Sequence, residues 1–202
     1  MFEYERKYQK KGSRFICGID EVGRGPLAGP VMACAIIMPL ENTEDIIDGV
    51  NDSKKLSEKK REILYELIIK KAIACSVASV DNLCIDKINI LNATKLAMKN
   101  AVQSLQIKPD ILLIDAVKLD IDTEQENIIK GDGLSYSIAC ASIVAKVTRD
   151  RLMMQFAKEY SCYSFEKNKG YGTKIHTDAL QKYGACPIHR QSFIGSFLPK
   201  SI

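Results

Sequence analysis

Tryptophan is absent from the 202-residue chain, histidine occurs only twice, and none of the seven cysteines belongs to a C-x-x-C pair. The cysteines, at 17, 34, 75, 84, 140, 162 and 186, stand singly and mostly in apolar stretches. They read as small reduced hydrophobes, which excludes a disulfide framework. Cys162, His176, Cys186 and His189 end in a Cys-x-x-His, but their spacing fits no standard zinc finger. Long hydrophobic runs are missing too: Val31 to Leu40, the longest, is about half of a membrane span. The N-terminus carries charges through Arg14, unlike a signal peptide. Without repeats, low-complexity tracts or Ser/Gly-rich linkers, a soluble cytoplasmic chain with one domain over residues 1–202 is expected. Residues 1–14 are an N-terminal segment and about 160–202 a C-terminal extension of helix and loop.

What is present is an ordinary globular balance of 46% apolar and 27% charged residues. The net charge of +4 permits a polyanionic partner without demanding one. Residues 15–20 predict a buried strand, followed by the turn Gly23-Arg24-Gly25-Pro26 and a second strand over 30–39, antiparallel to the first. Ser57 caps a helix of about sixteen residues, with Ile63, Leu64, Leu67 and Ile68 as its apolar stripe. A strand over 73–80, a helix from Asn89 to Leu105, and the fully apolar strand Ile111 to Ile114 follow. A weaker strand over Asn127 to Lys130 and a long helix from Ser135 to Tyr160 complete the pattern, which is that of an α/β domain with a mixed sheet.

Acids sit at the ends of these strands. Asp20 and Glu21 end the first, Asp115 ends the fourth, and Asp132 follows the fifth. Sheets of this class place ligands at strand ends. Converging carboxylates repel one another unless a cation lies between them. Hard oxygen donors with no Cys/His set point to Mg²⁺ or Mn²⁺, and two such ions make a device for phosphodiester hydrolysis. A single Asp after a strand is more often a cap or turn former, and Asp132 could cap the next helix. Asp20 and Glu21 are adjacent, so on a regular strand they face opposite sides and share a site only if the strand bends or ends there.

Gly23-Arg24-Gly25 lies two residues beyond the acidic pair, where glycines admit a bulky ligand and Arg24 adds a charged fork. Lys54-Lys55 and Lys59-Lys60-Arg61 form one basic cluster, and Lys167, Lys169 and Lys174 another. The second surrounds Gly170-Tyr171-Gly172, an aromatic suited to stacking on a base or sugar. A solvated face and a plain tight turn are the blander readings of these features.

Taken together, the segments resemble the type HII ribonuclease H family. The residues that carry the resemblance are Gly18 to Gly29 (G-I-D-E-V-G-R-G-P-L-A-G), Asn51 to Leu56 (N-D-S-K-K-L), Leu113-Ile114-Asp115 and Lys130-Gly131-Asp132. Ser137-Ile138-Ala139, Ala141 to Asp150 (A-S-I-V-A-K-V-T-R-D) and Lys169 to Thr173 (K-G-Y-G-T) continue it in the family's order. The resemblance implies a ribonuclease H-like fold, a mixed five-stranded sheet flanked by helices, with a helical C-terminal extension. It implies four catalytic and metal-binding acids, Asp20, Glu21, Asp115 and Asp132. It further implies metal-dependent cleavage of RNA–DNA hybrids, and of DNA at single embedded ribonucleotides, leaving 3′-hydroxyl and 5′-phosphate ends. Gly23, Arg24 and Gly25 match the motif that contacts the 2′-hydroxyl, and Tyr171 matches the junction-sensing tyrosine. Lys54 and Lys169 are then candidate phosphate contacts. The sister type HIII lineage carries an extra N-terminal domain, for which the roughly fifteen residues before the first strand are too few.

Two rival functions are a carboxylate–Mg²⁺ phosphatase for small esters and a protein that binds hybrids without cutting. A monomer without membrane contact is expected. Gln191-x-x-Ile194-x-x-Phe197-Leu198 loosely resembles a sliding-clamp peptide, but packing of Ile194 and Phe197 on the core is the preferred reading.

Overall fold

Strand β1 (Ile16–Val22) is buried on both faces, which makes it the centre of the sheet rather than an edge. In the computed structural model, which describes residues 1–198, it pairs antiparallel with β2 (Val31–Ile37) and parallel with β4 (Ile111–Asp115). β3 (Ala74–Val80) adds to β2, and β5 (Glu124–Ile128) adds parallel to β4, giving the order β3-β2-β1-β4-β5. The expected mixed five-stranded α/β sheet is therefore present.

The two-residue period of β2 divides the core. Val31, Ala33, Ala35 and Ile37 face helix α3 (Asn82–Gln103) and its Ala93, Ala97 and Met98. Cys34 and Ile36 face helix α5 (Tyr136–Glu159) and its Ala139, Cys140, Ile143 and Val144. Small residues in the first half of α5 let it lie directly on β1. A Cβ built on Gly18 would fall 2.1 Å from the Ser137 carbonyl carbon, so no other residue fits there.

Helix α1 (Glu3–Lys10) gives the N-terminal segment a structural role. Its buried Glu5 accepts from Ser135 Oγ at 2.6 Å and from Ser137 N–H at 2.9 Å, adding a carboxylate to the start of α5. Ser135 also caps α5 by accepting from Ile138 N–H. The C-terminal segment has its own apolar cluster, in which Leu27, Met153, Phe165, Leu180 and Ile194 meet. It contains the short helices α6 (Phe165–Asn168) and α8 (Gln191–Ile194) and, between them, α7 (Lys174–Tyr183). Ile194 is fully buried there, and Phe197 and Leu198 pack against the same cluster.

Three expectations about elements need correction. The helix capped by Ser57, α2 (Glu58–Lys71), buries only Leu64 and Ile68; Ile63 and Leu67 are exposed, at 55% and 43%. Its contact with α5 is one narrow i, i+4 row, and Arg151 of α5 pairs with Glu62 and Glu66 beside it. β5 lies three residues earlier than expected, because as an edge strand it reads Glu-Gln-Glu-Asn and carries little apolar signal. α3 begins at Asn82, capped by Asp81, and breaks at Asn89 (φ 65°), where the sequence predicts the helix start. The Asn89 side chain caps the second portion by accepting from Asn92 N–H.

Among the described residues no helix is long and apolar enough to cross a membrane. Substituting Gly18→Ala forces β1 and α5 apart, and the unfolding free energy should fall by about 3 kcal/mol, read from urea denaturation midpoints.

Candidate active site

β1 extends three residues past its last pairing with β4, since the register ends at Ile19↔Ile114. Asp20 and Glu21 therefore do not end the strand, as expected, but lie within it, where one edge is free while the other still pairs with β2. Beyond that last pairing, the β4-side edge of β1 is open beside both acids. Both line a cavity of about 200 Å³, together with Gly23, Arg24, Gly25, Lys54 and Tyr171.

Asp115, the last residue of β4, stands close enough to act on both acids. Burial, then the charges of Glu21 and Asp115, push the Asp20 carboxyl well above the usual range. Burial and Asp115 likewise raise Glu21, against the opposing pull of Arg24, whose guanidinium lies 3.4 Å from it. Asp115 Oδ1 accepts from Gly131 N–H at 3.1 Å, which ties β4 to the short helix α4 (Gly131–Leu134) and to the buried Asp132 on it. Asp132 is no cap for the long helix, since Ser135 fills that position. Burial and the neighbouring Asp52 raise the Asp132 carboxyl, and Lys54, 3.8 Å away, opposes them. The Lys54 ammonium is pulled down by burial, but Asp132, Asp20, Asp52 and Asp115 outweigh this and hold it above the ordinary lysine value.

This donor set fits a hard divalent cation: its donors are carboxylate oxygens, desolvated, mutually repelling and short of counter-charge. Among the described residues no three Asp, Glu, His or Cys side chains already converge as a ready coordination shell. The acids make local bonds instead, Asp20 Oδ1 accepting from Glu21 N–H at 2.7 Å.

Gly25 faces Tyr171 directly: a Cβ on Gly25 would meet only Tyr171 Cε1, at 3.8 Å. The Gly-Arg-Gly turn and the aromatic loop are thus opposite walls of one cleft. Lys169 does not join them. Its ammonium turns away to the Glu166 carbonyl at 2.6 Å. Ser53, Ser142 and Lys146 do line the cavity, although sequence reasoning did not single them out as site residues. Ser142 draws the Asp20 carboxyl down against its burial and lies 2.8 Å from Ser53, so it stands between the acids and the Asp-Ser-Lys-Lys turn. Their only signal was their place inside the blocks Asn51 to Leu56 and Ala141 to Asp150, where the two serines carry no charge to mark them.

The four zinc-like residues hold no metal set. His176 Nδ1 lies 2.9 Å from the Tyr171 carbonyl, which can only accept, so that nitrogen carries the proton. His176 Nε2 then accepts from His189 Nε2 at 2.9 Å, and His189 Nδ1 accepts from Cys186 N–H. Both rings are neutral with fixed tautomers, and the pair ties the Tyr171 loop to the C-terminal segment.

A sheet ordered 3-2-1-4-5, with acids where β1 runs past its pairing with β4 and where β4 ends, defines a nuclease of the ribonuclease H class. A family model described as Ribonuclease HII matches residues 17–196. The chain belongs to the ribonuclease HII family of endoribonucleases. It is 59% identical over 198 residues to ribonuclease HII of Caldicellulosiruptor bescii, covering 98% of this chain and 95% of that one. Ribonuclease H2 from Pyrococcus horikoshii superposes with a TM-score of 0.74 at 28% identity, over 89% of this chain and 93% of that one. Bst ribonuclease HIII in complex with Mn²⁺ shares the fold, with a TM-score of 0.66 at 20% identity, over 84% of this chain and 63% of that one.

The histidine pair generates a prediction about acid. Burial lowers both pKa values, that of His189 to about 4 with His176 as a further cause. The unfolded chain therefore binds protons that the folded chain refuses. Stability is fully present above about pH 6.5 and declines as the pH falls towards 4. His189→Gln should make that decline shallower, measured as urea midpoints against pH.

Proposed function

We propose that the chain is a divalent-metal-dependent endonuclease that hydrolyses the RNA strand of RNA–DNA hybrids. It also cuts on the 5′ side of single ribonucleotides embedded in duplex DNA, leaving 3′-hydroxyl and 5′-phosphate ends, and so serves ribonucleotide removal in the cytoplasm. One observation carries the reading. Asp20 and Glu21 line the same cleft as the facing pair Gly25–Tyr171, so a phosphodiester near these acids would present its sugars to the turn and the aromatic ring.

Asp20, Glu21 and Asp115 would hold the metal ions, Mg²⁺ or Mn²⁺, with Asp132 completing the set. Metal ions held there would supply activation of the attacking water and charge stabilisation for the leaving oxygen. The chain's other residues position the substrate. Lys54, exposed and held cationic by the surrounding acids, meets a phosphate beside the scissile bond. Gly23 and Gly25 admit the nucleic-acid backbone closely, and Arg24 reaches from the rim of the cleft. Tyr171 is 41% exposed and stands free to stack against the deoxynucleotide sugar at the junction. Lys169 would meet a phosphate only by leaving the Glu166 carbonyl it bonds.

The test is cleavage of a DNA duplex carrying one ribonucleotide, with Mg²⁺, Mn²⁺ or chelator, beside an all-DNA control. The expected result is one cut 5′ to the ribonucleotide that vanishes with chelator. Asp115→Asn should lower the rate by about a thousandfold, equivalent to several kcal/mol of transition-state stabilisation. Full activity in that variant would remove the metal assignment.

A further inference from the structure

Arg149 and Arg190 are fully buried, and among the described residues neither forms an ion pair. A buried cation without a carboxylate is costly unless its donors are otherwise satisfied. Here backbone carbonyls satisfy them. Arg190 donates to Gly29 O through Nε at 3.0 Å, to Arg24 O through Nη1 at 2.9 Å, and to Gly23 O through Nη2 at 2.6 Å. Arg149 donates to Pro30 O at 3.0 Å, Lys169 O at 2.9 Å and Ala28 O at 3.1 Å. The six carbonyls belong to two segments only: the turn that follows β1, and the residue that opens the Gly170-Tyr171 loop. The segments are also joined directly, Leu27 N–H donating to Gly170 O at 2.8 Å.

The direction of these bonds matters. A trans peptide points its C=O and its N–H to opposite sides. With the Gly23 and Arg24 carbonyls drawn inward to Arg190, the amide hydrogens of Arg24 and Gly25 are turned outward, towards the cleft that both residues line. Among the described residues neither amide donates to an acceptor of the chain. Gly23 is held at φ +91°, and a Cβ there would strike Arg149 Nε at 2.3 Å, so both guanidinium groups lie immediately behind the turn. Arginine's rigid planar fork spreads its donors over three nitrogens, whereas a lysine would have to serve the same three carbonyls from a single ammonium nitrogen on a flexible stem.

We propose that Arg190 and Arg149 are positioning residues for ribonucleotide recognition. Arg190 aims the Arg24 and Gly25 amides at an oxygen of the ribonucleotide, and Arg149 holds the Tyr171 loop in register with them. The proposal rests on the cleavage reading above. Burial draws both guanidinium pKa values down, Arg190's to about 9 with Arg149 as the second cause, which leaves Arg190 cationic at neutral pH.

The experiment compares Arg190→Lys and Arg149→Lys with the unsubstituted chain, on a duplex with one embedded ribonucleotide and on a continuous RNA–DNA hybrid. The expected loss in kcat/KM is about ten- to a hundredfold on the single-ribonucleotide duplex, the scale of a small misplacement. The loss on the hybrid should be smaller, so the ratio between substrates falls. Equal losses on both, tracking the folded fraction, would reduce the arginines to structural supports and overturn the proposal. Failure of the unsubstituted chain to cut either substrate would instead remove the cleavage reading.

Should the variants not fold, amide NMR of the unsubstituted chain in chelator decides. The Arg24 and Gly25 amide protons should shift on adding the single-ribonucleotide duplex, and less on adding the all-DNA duplex. Identical shifts with both would overturn the proposal.

Discussion

At Gly18 the backbone of β1 touches the backbone of α5 with no side chain between them, and the cleft inherits its dimensions from that contact. One residue pair beyond it along the strand lies Asp20. One turn and more along the helix lie Ser142, Lys146 and Arg149, which reach respectively an acid, the cavity and the turn after β1. Any residue larger than glycine would lift the helix and with it everything hung from its cleft-facing side. The buried Glu5 carboxylate and the Ser135 cap fix the same helix at its start, so α5 is held at the end nearest the crossing. Close packing of this kind transmits a displacement rather than absorbing it.

The carboxylates oppose this order. Burial raises Asp20, Glu21 and Asp132 together, and each is raised further by a neighbouring acid. The fold tolerates that repulsion by spending it locally, through the Glu21 amide, the Gly131 amide, Arg24 and Lys54. Strain concentrated at one place is a mark of function rather than of stability.

Much of this was legible in the sequence, for identifiable reasons. Acids that interrupt apolar strands stand out, because the background makes them conspicuous. Ser57 announced its helix by cap chemistry, and the mixed sheet followed from the alternation of strands and helices. The misses share a cause too. β5 is polar, so hydrophobic patterning finds only its last residue. The α2 stripe was drawn too wide, because periodicity cannot say how many neighbours a helix has. Arg149 and Arg190 look like any surface arginine in a one-dimensional reading, and only the folded chain reveals carbonyls pointing at them. That the edge of β1 lies open beside Asp20 and Glu21 depends on where a different strand stops, which no local pattern contains.

The polarity that hides β5 from a sequence reading has a further consequence. An outermost strand leaves a row of unpaired N–H and C=O groups, which invites another chain to continue the sheet. On β5 that row runs beside Glu124 and Glu126, the latter already paired with Lys7 of α1 at 2.8 Å. A chain docking there would have to strip water from a carboxylate and break an ion pair before its first new hydrogen bond formed. The strand thus terminates the sheet as a chemical barrier against fibre-like stacking.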